Sequence, residues 1–178
     1  GLSKSGYEFT ILSFEKKARL ESEKNTIQQI VDQAGIRWVP LTFTSRPPFI
    51  SKLYDKLRMR RTAVQLHKQF KFYMTHCRSY ISAEAGFYLK QHYKVPFLFD
   101  MRGFWPDERV DNKQWPQHNI LFRYLYQSYK RKEIIFLKEA AAVVALTQAA
   151  KTEMQSWPAF GKLDVDIIPC CADLQHFD

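Results

Sequence analysis

One run of polar residues carries the densest chemistry in this chain. Asp100-Met101-Arg102-Gly103-Phe104-Trp105-Pro106-Asp107-Glu108-Arg109 follows the apolar stretch Val95-Pro96-Phe97-Leu98-Phe99 directly. An acid, a base and a glycine then stand where an apolar strand ends. Asp100 can accept a proton or hold a hydroxyl group. Arg102 offers a planar fork to phosphate or carboxylate. Gly103 lets the backbone approach a ligand closely, and Glu108 extends the same polar run. The plainer alternative is an Asp100–Arg102 ion pair that only organises the loop.

Thr75-His76-Cys77-Arg78-Ser79 is the second cluster. In a strand, His76 and Arg78 share one side-chain direction, and they stand beside Asp100 if the two strands are neighbours. A His bonded inside the sheet edge would explain His76 without function. Two stretches mix cations with aromatics. Lys52, Lys56, Arg58, Arg60, Arg61, Lys68 and Lys71 accompany Tyr54 and Phe70, while Arg123, Lys130, Arg131 and Lys132 accompany Tyr124, Tyr126 and Tyr129. Such helices can meet an anionic membrane surface. Lys52, Lys56, Arg60, Arg61 and Arg131 are the candidate contacts, with a solvated helix face as the alternative. Asp164-Val165-Asp166 has a D-x-D spacing but precedes its strand, so it reads as the start of that strand. No metal site is expected. Walker, H-E-x-x-H, G-x-G-x-x-G and nucleophile-elbow patterns do not occur in the sequence. Nothing resembles a nucleic-acid-binding module, so nucleic acid is not an expected partner.

Alternating strands and helices are needed to position these groups. The β-rich run over residues 8–14 reads as a strand and residues 15–23 as a charged loop. Ile27, Ile30, Val31 and Ala34 form the stripe of an amphipathic helix, capped at Gly35. Residues 36–43 form a strand, at a sheet edge because it contains Pro40. A helix over residues 51–70 and a strand over residues 72–77 follow. Ser82 caps a helix that reaches residue 93, and residues 95–101 form a strand. A loop to residue 117 leads to a long helix over residues 119–141. A buried strand spans residues 142–146, and Thr147 caps a helix over residues 148–157. A last strand covers residues 166–169. Strict alternation predicts an α/β fold with a doubly wound, mainly parallel, Rossmann-like sheet. Ligands in such sheets lie outside the carboxyl ends of the strands, where both polar clusters fall.

The 178 residues suit one domain with a proper core. No stretch approaches the roughly 20 apolar residues of a membrane span. A formal net charge of +9 speaks to anionic partners rather than to fold. Cys77, Cys170 and Cys171 include no C-x-x-C pair, so neither a disulfide framework nor a zinc site is expected. The compartment reads as reducing and cytoplasmic.

Taken in order, the pieces resemble the N-terminal half of a GT-B glycosyltransferase of the retaining, nucleotide-sugar-dependent kind, similar to glycosyltransferase family 4. Residues 2–12 resemble the end of the family's first helix and its second strand, with a "G-h-e-V" turn. Thr75-His76-Cys77-Arg78-Ser79 resembles the "H-x-R/H-S" strand end, and residues 95–103 resemble "P-x-V-x-D-x-R-G". Residues 142–147 resemble "d-x-v-i-a-x-S/T". Ile167-Ile168-Pro169-Cys170-Cys171-Ala172-Asp173-Leu174-Gln175-His176-Phe177 resembles "v-I-P-N-G-V-D-x-x-x-F", with Cys-Cys in place of Asn-Gly.

The resemblance implies an acceptor-side domain over residues 1–169 and the start of an interdomain linker over residues 170–178. The family's first strand and Gly-rich loop would precede Gly1. A C-terminal domain holding the nucleotide-sugar donor would follow Asp178. No cofactor is expected within this stretch, which alone would be inactive. Many family members carry His where Asp100 stands, so Asp100 would orient or deprotonate the acceptor. Arg78 and Arg102 would bind its anionic groups, with His76, Gly103 and Glu108 lining the same pocket. The acceptor would be a glycan or lipid-linked molecule in polysaccharide or lipopolysaccharide synthesis, met at the inner face of a membrane. The competing expectation is a non-enzymatic anion- or membrane-binding α/β module.

Overall fold

The computed structural model describes residues 6–47, 50–160 and 163–170. The chain divides into two compact units, residues 1–69 and residues 70–178. The first contains β1 (Phe9–Glu15), α1 (Lys17–Gln33), β2 (Ile36–Thr42) and α2 (Ile50–Phe70), which ends at the boundary. β1 and β2 pair in parallel from Phe9↔Ile36 to Glu15↔Thr42. Parallel neighbours need a crossover, and α1 supplies it. Pro40 lies on β2, which pairs only with β1 among the described residues, so the edge position demanded by its missing N–H is met.

α1 replaces the charged loop expected over residues 15–23. Its exposed surface is tied one turn apart by Lys17–Glu21 at 3.8 Å, Arg19–Glu23 at 3.0 Å and Gln28–Asp32 at 2.7 Å. None of its residues is buried, so no apolar stripe marks its first half. Gly35 follows the C-cap with φ +66°, a left-handed turn suited to glycine. Beyond β2, buried Asp55 accepts from the Thr44 amide at 2.9 Å and the Thr44 hydroxyl at 2.8 Å. Arg58 donates to the Thr42 carbonyl at 3.0 Å, which anchors the carboxyl end of β2 to α2.

The second unit contains β3 (Thr75–Arg78), α3 (Ser79–Tyr93), β4 (Phe97–Met101), α4 (Trp105–Asp111), α5 (Ile120–Glu139), β5 (Ala142–Ala145), α6 (Gln148–Ser156) and β6 (Asp166–Ile167). Its strands form a parallel sheet in the order β3-β4-β5-β6. The pairing is parallel throughout, as the alternation predicts. One continuous sheet was expected; the described strands form two, because β1 bonds only β2 and β3 bonds only β4.

Several boundaries also move. The loop expected up to residue 117 contains α4, started by Pro106 in its first turn, where a missing N–H costs nothing. α3 begins at Ser79 rather than at Ser82, whose hydroxyl donates back to the carbonyls of Arg78 and Ser79. Thr147 caps α6 as expected, accepting from the Ala150 amide at 3.1 Å. Asn119 caps α5 through the Leu121 amide at 2.9 Å.

Phe97, Phe99 and Met101 of β4 are buried. The Phe136 ring of α5 meets Phe99 edge-on at 5.7 Å and Phe87 of α3 at 5.9 Å, the favoured aromatic geometry. α3 lies against β3 so closely that a Cβ on Gly86 would stand 2.2 Å from the Cys77 sulfur. This packing fixes the strand ends that carry the polar clusters.

Candidate functional site

Register alone brings the two clusters together. Arg78 is the partner of Asp100 across β3 and β4, with His76 two residues back. His76 Nε2 lies 3.1 Å from Asp100 Oδ2. The imidazole is largely exposed while the Asp100 side chain is only 10 % exposed. Asp100 Oδ1 is buried with no hydrogen-bond partner among the described residues. A buried acceptor left open is costly in a finished core, whereas a ligand hydroxyl would satisfy it. Asp100 thus pairs with His76 rather than with Arg102, against the loop-organising alternative.

The site continues along the β4–α4 loop. Arg102 Nη2 donates to the Cys170 sulfur at 2.9 Å, spanning from the end of β4 to the segment after β6. Gly103 has Glu108 folded over it, with a carboxylate oxygen 2.3 Å from the place a Cβ would take. Any side chain at position 103 therefore displaces Glu108. Ser79, between Arg78 and Tyr80, adopts φ +72°. Non-glycine residues held in that region carry strain that surrounding contacts must offset, and they concentrate at functional sites. Arg78 is exposed.

A polar network beneath this surface was not anticipated from the sequence. Glu133 of α5 is fully buried. It accepts from the Tyr80 hydroxyl and pairs with Lys130. Lys130 also bonds Asp107 of α4 at 2.8 Å, and the Tyr126 hydroxyl donates to the other Asp107 oxygen at 2.8 Å. The Lys130 ammonium lies 4.6 Å from the centre of the Trp157 ring. Burial pushes the Glu133 carboxyl up from its ordinary range, partly offset by hydrogen bonds from Lys130 and Tyr80. Burial, reinforced by the Glu133 charge, likewise raises the Tyr80 hydroxyl. For Lys130, burial works to lower the value, but the bonds to Asp107 and Glu133 outweigh it and leave the group raised. The signal that could have exposed this network is an acid on an apolar stripe, Tyr129, Glu133, Phe136 and Leu137.

Other candidates fall elsewhere. Asp164 and Asp166 are exposed on either side of buried Val165, consistent with the start of β6. Among the described residues no group of three or more His, Cys, Asp or Glu is arranged to hold a metal ion. No described helix is long and apolar enough to cross a membrane. Lys52 and Arg61 of α2 are exposed, as are Ile50, Leu53 and Tyr54 of the same helix, and Arg131 of α5 is exposed. Lys56 and Arg60 are half-buried. Of the expected linker, only Cys170 lies within the described residues.

Parallel strands joined by helices define a Rossmann-like α/β protein, and an acid, an imidazole and guanidinium groups stand towards the carboxyl ends of β3 and β4. The family model for Glycosyltransferase Family 4 matches residues 1–176, and the chain belongs to that family. No curated protein matches it.

Proposed function

We propose that this region is the acceptor-binding half of a retaining, GT-B-type enzyme that transfers a sugar from a nucleotide-sugar. The observation that carries the reading is the Asp100–His76 pair with one buried carboxylate oxygen left open. An acceptor hydroxyl would donate to Asp100 Oδ1. For the configuration to be retained, the acceptor oxygen bonds to the anomeric carbon on the same face from which the nucleotide phosphate departs, and its proton passes to Asp100 as the carbon–phosphate-oxygen bond breaks. The nucleotide leaves with that electron pair. His76 would hold the carboxylate in orientation. Arg78 and Arg102 suit an acceptor bearing phosphate, since guanidinium groups pair with it through two parallel bonds. Glu108 and Gly103 would border the same cleft.

A lipid-linked acceptor in cell-surface polysaccharide or lipopolysaccharide synthesis fits this chemistry, and a hexose is the proposed transferred unit. The nucleotide-sugar would be held mainly by a further domain. The exposed cations and apolar residues of α2 support contact with the inner face of an anionic membrane. Membership of a transferase family favours this reading over a module that binds anions without chemistry.

The test is kinetic, in the full-length protein with an acceptor found by screening phosphorylated glycans and glycolipids. Arg78→Gln and Arg102→Gln should each raise the acceptor KM about tenfold and leave the donor KM within twofold. Equal changes in both constants, or none, would remove the acceptor assignment.

A further inference from the structure

The buried network touches both backbone segments that present the candidate site. Tyr80 is the second residue after Arg78, at the β3–α3 junction. Its hydroxyl bonds Glu133 and lies 3.4 Å from the Gly103 carbonyl in the β4–α4 loop. Asp107 lies in the first turn of α4, one residue before Glu108, and is tied to α5 by Lys130 and Tyr126. One buried acid on α5 thereby connects the segment carrying His76 and Arg78 with the segment carrying Arg102, Gly103 and Glu108. A core needing stability alone would fill this volume with apolar side chains at no loss, because buried ion pairs seldom exceed hydrophobic replacements. A charged, directional network can fix geometry instead, here with the Tyr80 hydroxyl donating to one Glu133 oxygen and the Lys130 ammonium paired with the other.

We infer that Tyr80, Glu133, Lys130 and Asp107 form a positioning network that sets the spacing between Arg78 and Arg102, and so the affinity of the site for a phosphate-bearing acceptor. This inference rests on the proposed acceptor site. It assigns these four residues no contact with the substrate. Their effect runs through Ser79 on one side and Gly103 on the other.

The probe is inorganic phosphate, titrated into the full-length protein. Hydrogen exchange is followed at peptides covering residues 76–82 and 100–108, with thermal unfolding measured in parallel. In wild-type protein phosphate should slow exchange in both segments, and Arg102→Gln should abolish that protection. Tyr80→Phe keeps the ring packed against Phe99 and Trp105 while removing the hydroxyl. Asp107→Asn alters a partly exposed side chain, so it provides a folded variant if Tyr80→Phe is unstable. Each should weaken phosphate binding at least fivefold, and the double variant should weaken it about as much as the worse single variant rather than by the product of the two, since both break the same network. A network serving stability alone would lower the unfolding temperature and leave phosphate affinity unchanged, which would overturn the inference while Arg102→Gln still abolished protection. No protection in the wild type, or persistence in Arg102→Gln, would instead overturn the acceptor site and this inference with it.

Discussion

Replacing Gly86 with alanine should destabilise the second unit, although alanine is the better helix former. The new Cβ would lie 2.2 Å from the Cys77 sulfur, and 3.2 Å from both Phe97 Cβ and Thr75 Oγ1. Non-bonded heavy atoms prefer roughly 3.5–4 Å, so the helix or the strand must shift by about an ångström or more. Overpacking of this kind costs about 1–3 kcal/mol. Helix propensity returns at most about 1 kcal/mol. The expected net loss is about 1–2 kcal/mol, most of it owed to one sulfur atom. Cys77→Ala removes that sulfur, at the cost of a small cavity. Gly86→Ala, Cys77→Ala and the double variant form a cycle measured by urea unfolding with far-ultraviolet circular dichroism. The coupling should be favourable by about 1 kcal/mol or more. A neutral Gly86→Ala, or a coupling near zero, would refute the close packing of α3 on β3. α3 would then not be what fixes the strand bearing His76 and Arg78.

Asn119→Ala should cost about 1 kcal/mol, because its side chain holds the first amides of α5; Asn119→Gly should cost only a few tenths of that. Native protein treated with iodoacetamide should be modified at exposed Cys170 and spared at Cys77, as read by peptide mass spectrometry. Burial pushes the Cys77 thiol from its ordinary range up to about 11, so its protonated form is favoured in the fold. Its contribution to stability is present below pH 9 and lost as the pH rises towards 11, and Cys77→Ala should flatten that part of the stability curve. The protein should bind vesicles of anionic lipid with an affinity that falls as salt rises, and Lys52→Glu with Arg61→Glu should weaken it; salt-independent binding would assign those cations to a solvated face.

The sequence was legible where burial and strand pairing dominate. The stretches around Phe97–Met101 and Ala142–Ala145 read as strands because both are apolar enough to lie inside a parallel sheet. It was misleading where local charge replaces burial. α1 hides behind lysine and glutamate because its first turns are exposed and charged, with ion pairs one turn apart and no buried apolar stripe to mark them. α4 hides behind Trp105-Pro106, a pattern that reads as a loop although proline is favoured at a helix start. The site divides in the same way. His76, Arg78 and Asp100 could be grouped from strand periodicity once their strands were taken as neighbours. The network could not, since Tyr80 and Glu133 are 53 residues apart and only the packing of α5 on α3 joins them.

The most direct test of the account is turnover by Asp100→Asn in the full-length protein. Asparagine keeps the size of the side chain and its bond to His76 but cannot take a proton. Removal of a general base typically lowers rates by about 100-fold to 10,000-fold. The account predicts a fall in kcat of that order, an unchanged donor KM and an unchanged unfolding temperature. Turnover at the wild-type rate would contradict it and would move the acceptor hydroxyl away from the end of β4.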